Sequence, residues 1–79
     1  MAFIIKNEVL IKYEEEANIT EISIPDYVKY IGEFAFNNCN HLKIINIPYS
    51  VEKIPVNAFS GCKNLRCFNL VNTEDIEYQ

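Results

Sequence analysis

Four side chains in this sequence are equipped for chemistry: the only histidine, His41, and the three cysteines Cys39, Cys62 and Cys67. Nucleophilic catalysis needs a hydroxyl or thiol that a base can reach, and a third group that orients the base. No Ser or Cys stands at a recognisable spacing from His41, so no catalytic residue is assigned and the chain reads as non-enzymatic. The acidic run Glu14-Glu15-Glu16 is the other candidate. A hard cation would need further oxygen ligands at strand or helix spacing, and none lies nearby. The run reads as a solvated turn, with no metal and no cofactor expected.

A 23-residue period must position these groups. Residues 24–46 and 47–69 share nine identities in register: Ile, Pro, Val, Ile, Ala, Phe, Cys, Leu and Asn. Seven of the nine are apolar or Cys, as expected if each copy adds one rung to a shared core. A fixed period in the twenties is the signature of a stacked solenoid. Three segments, Ile19–Ile24, Leu42–Ile47 and Leu65–Leu70, share one form with alternation at their ends. Alternation of this kind marks a strand with one buried face. Their constant interval predicts parallel pairing, with inward columns Ile19/Leu42/Leu65, Ile22/Ile45/Phe68 and Ile24/Ile47/Leu70.

Pro25 and Pro48 close the first two strands by removing a backbone donor. Val28 with Ile31, and Val51 with Ile54, then form a second inward run. Glu33–Phe36 and Val56–Phe59 are each predicted to make one helical or 3₁₀ turn. Gly61, and Asn38 by position, supply the positive φ that ends it. Ahead of the repeats, Phe3-Ile4-Ile5 and Val9–Tyr13 read as a β-hairpin with Asn7 in the turn. The boundaries expected are a single domain over 1–79, with a hairpin cap at 1–18 and a first repeat at 19–46. A second repeat with the final strand occupies 47–71. A degenerate tail follows at 72–79, where Glu74 and Glu77 replace the Val and Ile of the template.

With that period, Cys39 and Cys62 fall on adjacent rungs about 5 Å apart, as neighbouring strands are. The distance alone permits a disulfide, but both read as small buried residues whose S–H reaches a loop carbonyl. Cys67 falls on an outward position and is the thiol expected to be accessible. An odd number of cysteines without a C-x-x-C pair fits a reducing compartment.

Composition narrows the partners. The chain has 79 residues, is 49 % hydrophobic and carries a net charge of −4. That balance argues against disorder and against nucleic acid or an anionic membrane as partner. No apolar run reaches the roughly 18 residues of a membrane span. The first residues lack a basic and then apolar leader pattern, so a cytoplasmic location is expected.

The spaced pattern Ile-Pro-x-x-Val-x-x-Ile-Gly-x-x-Ala-Phe-x-x-Cys-x-x-Leu, complete over Ile24–Leu42, resembles the BspA-like (Treponema pallidum-type) leucine-rich repeat. The second copy departs at Pro55, where that family usually has Gly, and at Asn57, which replaces a common aromatic. The resemblance covers roughly residues 3–70. It implies a bacterial-type repeat array that binds proteins or cell surfaces, with no catalytic residue in the motif. Many members are secreted or attached to cell surfaces. The fold class expected is therefore an α+β repeat solenoid: a short leucine-rich-repeat array with an N-terminal β-hairpin cap, short parallel strands and one-turn helices.

The residues the motif leaves free are the candidates for function. Outward strand columns are Glu21/Ile44/Cys67 and Ser23/Asn46/Asn69, with Lys43 and Arg66 beside them as a basic column. Ile44 and Cys67 give an apolar centre, the Ser/Asn column gives hydrogen-bonding groups, and the basic column suits an acidic partner. Tyr27, Tyr30 and Tyr49 form a second candidate patch. The function expected is a non-catalytic protein-binding module using the exposed strand face. One alternative is a self-associating structural unit, since the edge strand at 65–71 invites pairing with another copy unless the tail folds back over it. Another is a repeat fragment of an exported cell-surface recognition protein.

Overall fold

The computed structural model describes residues 3–71. It contains β1 (Phe3–Lys6), β2 (Val9–Tyr13), β3 (Glu21–Ser23), β4 (Tyr30–Ile31), β5 (Ile44–Pro48) and β6 (Cys67–Val71). Two three-stranded sheets result, in the orders β1-β2-β4 and β3-β5-β6. In the second sheet both pairings are parallel, and Glu21, Ile44 and Cys67 lie side by side at the 23-residue interval. The repeat is therefore real as geometry.

The hairpin forms as the sequence predicts. β1 and β2 are antiparallel, Lys6 pairs with Val9, and Asn7 and Glu8 have φ of 54° and 66°. Two central residues at positive φ define the type I′ turn, whose twist matches that of the strands. The cap joins the array through β2, which runs parallel to β4 with Leu10 opposite Ile31. Gly32 makes that junction possible, because a Cβ there would stand 3.1 Å from the Leu10 carbonyl oxygen.

One expectation is overturned. No helix occurs among the described residues, so the α+β assignment with one-turn helices is replaced by a strand-and-turn repeat. The cause lies in where the backbone donors go. Ala35, Asn37 and Cys39 donate to the carbonyls of Gly32, Phe34 and Phe36, three residues back. Between them, Phe36 donates to Ala58 at 2.8 Å and Asn38 to Ser60 at 2.7 Å, both on the next rung. Beyond its first turn a helix bonds consecutive amides within its own segment, whereas here alternate amides bind neighbouring rungs. Phe34 and Asn38, both at φ 59°, break any helical path as well.

Pro48 ends β5, as the sequence predicts, but it removes a donor on one side of the strand alone. Ile44 donates to the Thr20 carbonyl and Tyr49 to that of Val71, so even-numbered amides of β5 face β3 and odd-numbered ones face β6. Pro48 lacks an amide on the β3 side. β3 pairing accordingly ends at Ser23 with Asn46, while β5 pairs with β6 as far as Pro48 with Val71.

The core is a column of apolar side chains from successive rungs. Leu10, Val28, Ala35, Phe36, Leu42 and Ile45 are completely buried. An aromatic stack passes from Phe3 through Tyr13, Phe36 and Phe59 to Phe68, with ring centroids 4.9–5.5 Å apart. These spacings suit offset and edge contacts. Burial then fades along the array. Ile22, Ile45 and Phe68 share one position yet are 8 %, 0 % and 52 % exposed, and Ile24, Ile47 and Leu70 are 4 %, 3 % and 70 % exposed. Ile19 and Ile54, expected inward, are also exposed. The proposed cover by the tail concerns 72–79, which lies outside the described residues.

Candidate functional site

The outward face of β3, β5 and β6 brings together six of the eight residues selected from the sequence, and the other two, Lys43 and Arg66, flank it. Glu21, Ile44 and Cys67 form one row across the strands, and Ser23, Asn46 and Asn69 form the next. Lys43 and Arg66 stand just ahead of β5 and β6. The Lys43 amide donates to the Thr20 carbonyl and the Arg66 amide to that of Lys43, so Thr20, Lys43 and Arg66 make a third row.

The Ser/Asn row is already joined to itself and to the row beside it. Asn46 Nδ2 donates to Glu21 Oε2 at 2.9 Å and to Ser23 Oγ at 3.1 Å, and Asn46 Oδ1 accepts from Asn69 Nδ2 at 2.9 Å. The Cys67 thiol points at Asn69 Oδ1, 3.4 Å away. Both donors of Asn46 and one of its acceptor positions are thus engaged. Instead of a set of adaptable hydrogen-bonding groups, the row is a pre-ordered ladder that fixes the shape of the face. Ile44 and Cys67 lie half-buried in it, and Lys43 and Arg66 are exposed at its flank. Among the described residues neither cation enters an ion pair.

The other chemically capable groups serve structure. Cys39 is buried, and Cys62, on the next rung, directs its thiol at the Phe36 carbonyl, 2.9 Å away. All three cysteines are free thiols. Burial pushes the Cys39 thiol from 9.0 up to about 12, and its neighbour Cys62 adds to that. Burial raises Cys62 as well. Neither thiol is poised as a nucleophile, because the thiolate is the reactive form. His41 occupies an exposed turn, in agreement with its sequence position.

Sequence reasoning missed two features. The Glu15 carboxylate is not merely solvated: it accepts the backbone amides of both His41 and Leu42, and lies 3.4 Å from His41 Nδ1. It clamps the first rung's turn 26 residues away in sequence, and an acidic run gives no hint of so distant a partner. The second feature is a shallow groove of about 650 Å³ on the opposite sheet. Tyr30, Gly32 and Glu33 line one side, and Lys53, Ile54 and Pro55 the other. Gly32 and Pro55 share a repeat position, and that pairing was the available signal. Among the described residues no group of three or more potential metal ligands occurs, and no helix is long and apolar enough to cross a membrane.

Repeat spacing, parallel rungs and the Ala-Phe-Cys turn have a counterpart among known families. A family model described as BspA type leucine rich repeat region (6 copies) matches residues 11–79. The chain belongs to this BspA-type leucine-rich-repeat family. A leucine rich cell surface protein from Faecalibacterium prausnitzii A2-165 has a similar solved structure, with 34% identity and a TM-score of 0.65. The similarity covers 78% of this chain and 16% of that one, so the chain spans about a sixth of that protein's length. No curated protein matches the sequence. Leucine-rich-repeat modules are typically non-catalytic and commonly bind proteins.

Proposed function

We propose that this BspA-type module is a non-catalytic protein-binding unit that engages its partner through the outward face of β3, β5 and β6. The observation that supports this most is the ladder Glu21–Asn46–Asn69, whose side chains are already bonded to one another beside Ile44. Preorganisation lowers the ordering cost of binding. Ile44 is the side chain to change, because Asn46 also holds the ladder together. An Ile44→Glu variant with an unchanged circular dichroism spectrum is expected to lose partners that the wild type retains in affinity capture. Recovery of the same partners by both proteins rejects the face as the binding surface.

Self-association is a second reading, favoured by the exposure of Phe68 and Leu70 on β6, the outermost strand of its sheet. A strand edge with apolar flanks is a template for another strand. Sedimentation of the wild type and a Leu70→Lys variant tests it, and concentration-independent monomers in both reject it. For location, three free thiols support a reducing compartment, while the likeness to a cell surface protein supports an exported repeat fragment. Fractionation of cells expressing the full gene separates the two.

A further inference from the structure

Charge divides this chain along its length. Residues 3–33 carry seven acidic groups (Glu8, Glu14, Glu15, Glu16, Glu21, Asp26 and Glu33) against Lys6, Lys12 and Lys29, a balance of −4. Residues 34–71 carry Lys43, Lys53, Lys63 and Arg66 against Glu52 alone, a balance of +3. Glu74, Asp75 and Glu77 supply the other −3. Of the later cations, Lys43 and Arg66 form a basic flank beside the proposed binding face, whereas Lys53 lines the groove on the other sheet.

Within the flank, Lys43 and Arg66 are consecutive members of one row, linked through the Arg66 amide and the Lys43 carbonyl at 3.0 Å. Adjacent rungs place them about 4.8 Å apart at the backbone. Carboxylates at i and i+4 of a helix stand about 5–6 Å apart, while same-face residues of an extended chain are roughly 6.6 Å apart. The helical spacing matches the rungs better. Half-buried Ile44 and Cys67 lie on the ladder side of the two cations and present an apolar strip to the next ridge of such a helix. Glu21 stands beside Ile44 in the same row and is bonded to Asn46, so it forms the acidic border of the face on the β3 side.

We infer that the partner segment is an acidic amphipathic helix, with two carboxylates one turn apart on Lys43 and Arg66 and an apolar ridge over Ile44. This rests on the reading of the strand face as the binding surface. It adds the partner's chemistry and the two residues that select it.

A synthetic helix with glutamates at i and i+4 and leucines at i+3 and i+7 is the probe, beside a peptide of equal composition in scrambled order. Fluorescence anisotropy against the full chain is expected to show tighter binding of the patterned peptide, weakening as salt rises. Lys43→Glu and Arg66→Glu are each expected to weaken it about fivefold, the change in affinity for an exposed ion pair worth about 1 kcal/mol. Ile44→Glu abolishes binding if the face itself is used. Loss with Ile44→Glu but no change with either charge reversal keeps the face and overturns the acidic helix. No effect of any of the three overturns both. Binding seen only when Glu74, Asp75 and Glu77 are neutralised makes the chain's own carboxyl-terminal segment the occupant, and the inference of a partner falls. Preference for a single-stranded RNA probe overturns it equally.

Discussion

Two columns of the same three strands behave in opposite ways. On the inward side, Ile22, Ile45 and Phe68 share one repeat position, and only the first two are buried. On the outward side, Ser23, Asn46 and Asn69 share another, and the middle member bonds to residues of both neighbouring strands. An apolar rung is finished only when something covers it, so the inward column weakens at β6. A polar row is finished when its members satisfy one another, so the outward column stays ordered across all three strands. The middle rung is thus the strongest part of both columns, and position in the array outweighs residue type.

The sharpest way to break this comparison is truncation on the inward side. Ile45→Ala is expected to cost about 2–5 kcal/mol, because a fully buried side chain leaves a cavity. Phe68→Ala, though larger in chemistry, is expected to cost only about 1–2 kcal/mol given its exposure. Urea denaturation measures both, and equal losses would show that β6 is covered as well as β5.

On the outward side the middle residue should again dominate. Asn46→Ala removes three side-chain hydrogen bonds and is expected to cost about 1–2 kcal/mol, against about 0.5 kcal/mol for Asn69→Ala. The same denaturation experiment tests it, and reversal of the order would contradict the ladder. A third test compares the stacked thiols through pH. Cys39 loses its proton near 9.0 when unfolded and near 12 when folded. Its contribution is complete below pH 9.0 and is lost as pH rises toward about 12. Tyr13, also raised by burial, acts in the same sense. Cys39→Ala should flatten the alkaline fall in stability more than Cys62→Ala does.

The smallest effect is a gain that touches neither column. Glu8 holds φ of 66° in the hairpin turn, and Glu8→Gly relieves a left-handed conformation at roughly 1 kcal/mol. Its ion pair with Lys29 is exposed and 3.8 Å long, so little is lost in exchange. A melting temperature that falls would show that this carboxylate matters more than the backbone.

Much of this was legible in the sequence because identity recurs where geometry recurs. Ile22, Ile45, Phe36 and Cys39 could be placed by period alone, and so could the parallel order of their strands. The turn after Gly32 was misread as helical because Ala35 and Phe36 suit a helical turn locally. The deciding fact was the bond from the Phe36 amide to Ala58, 22 residues further on, which local preference does not encode. The cross-strand register of the outward columns was legible, but their mutual bonding was not, since Ser23, Asn46 and Asn69 look alike whether they face water or one another. Glu15 was missed for the same reason: its partners are the amides of His41 and Leu42, and a backbone amide leaves no mark in a sequence.

The central claim is that function resides on the outward strand face and not in the groove beside Gly32 and Pro55. Amide chemical-shift mapping with the patterned acidic helix compares the two surfaces in one spectrum. Shifts confined to residues 43–46 and 66–69, with 30–33 and 53–55 unmoved, are the predicted result. Shifts confined to the groove residues, with Ile44 and its neighbours unchanged, would contradict it.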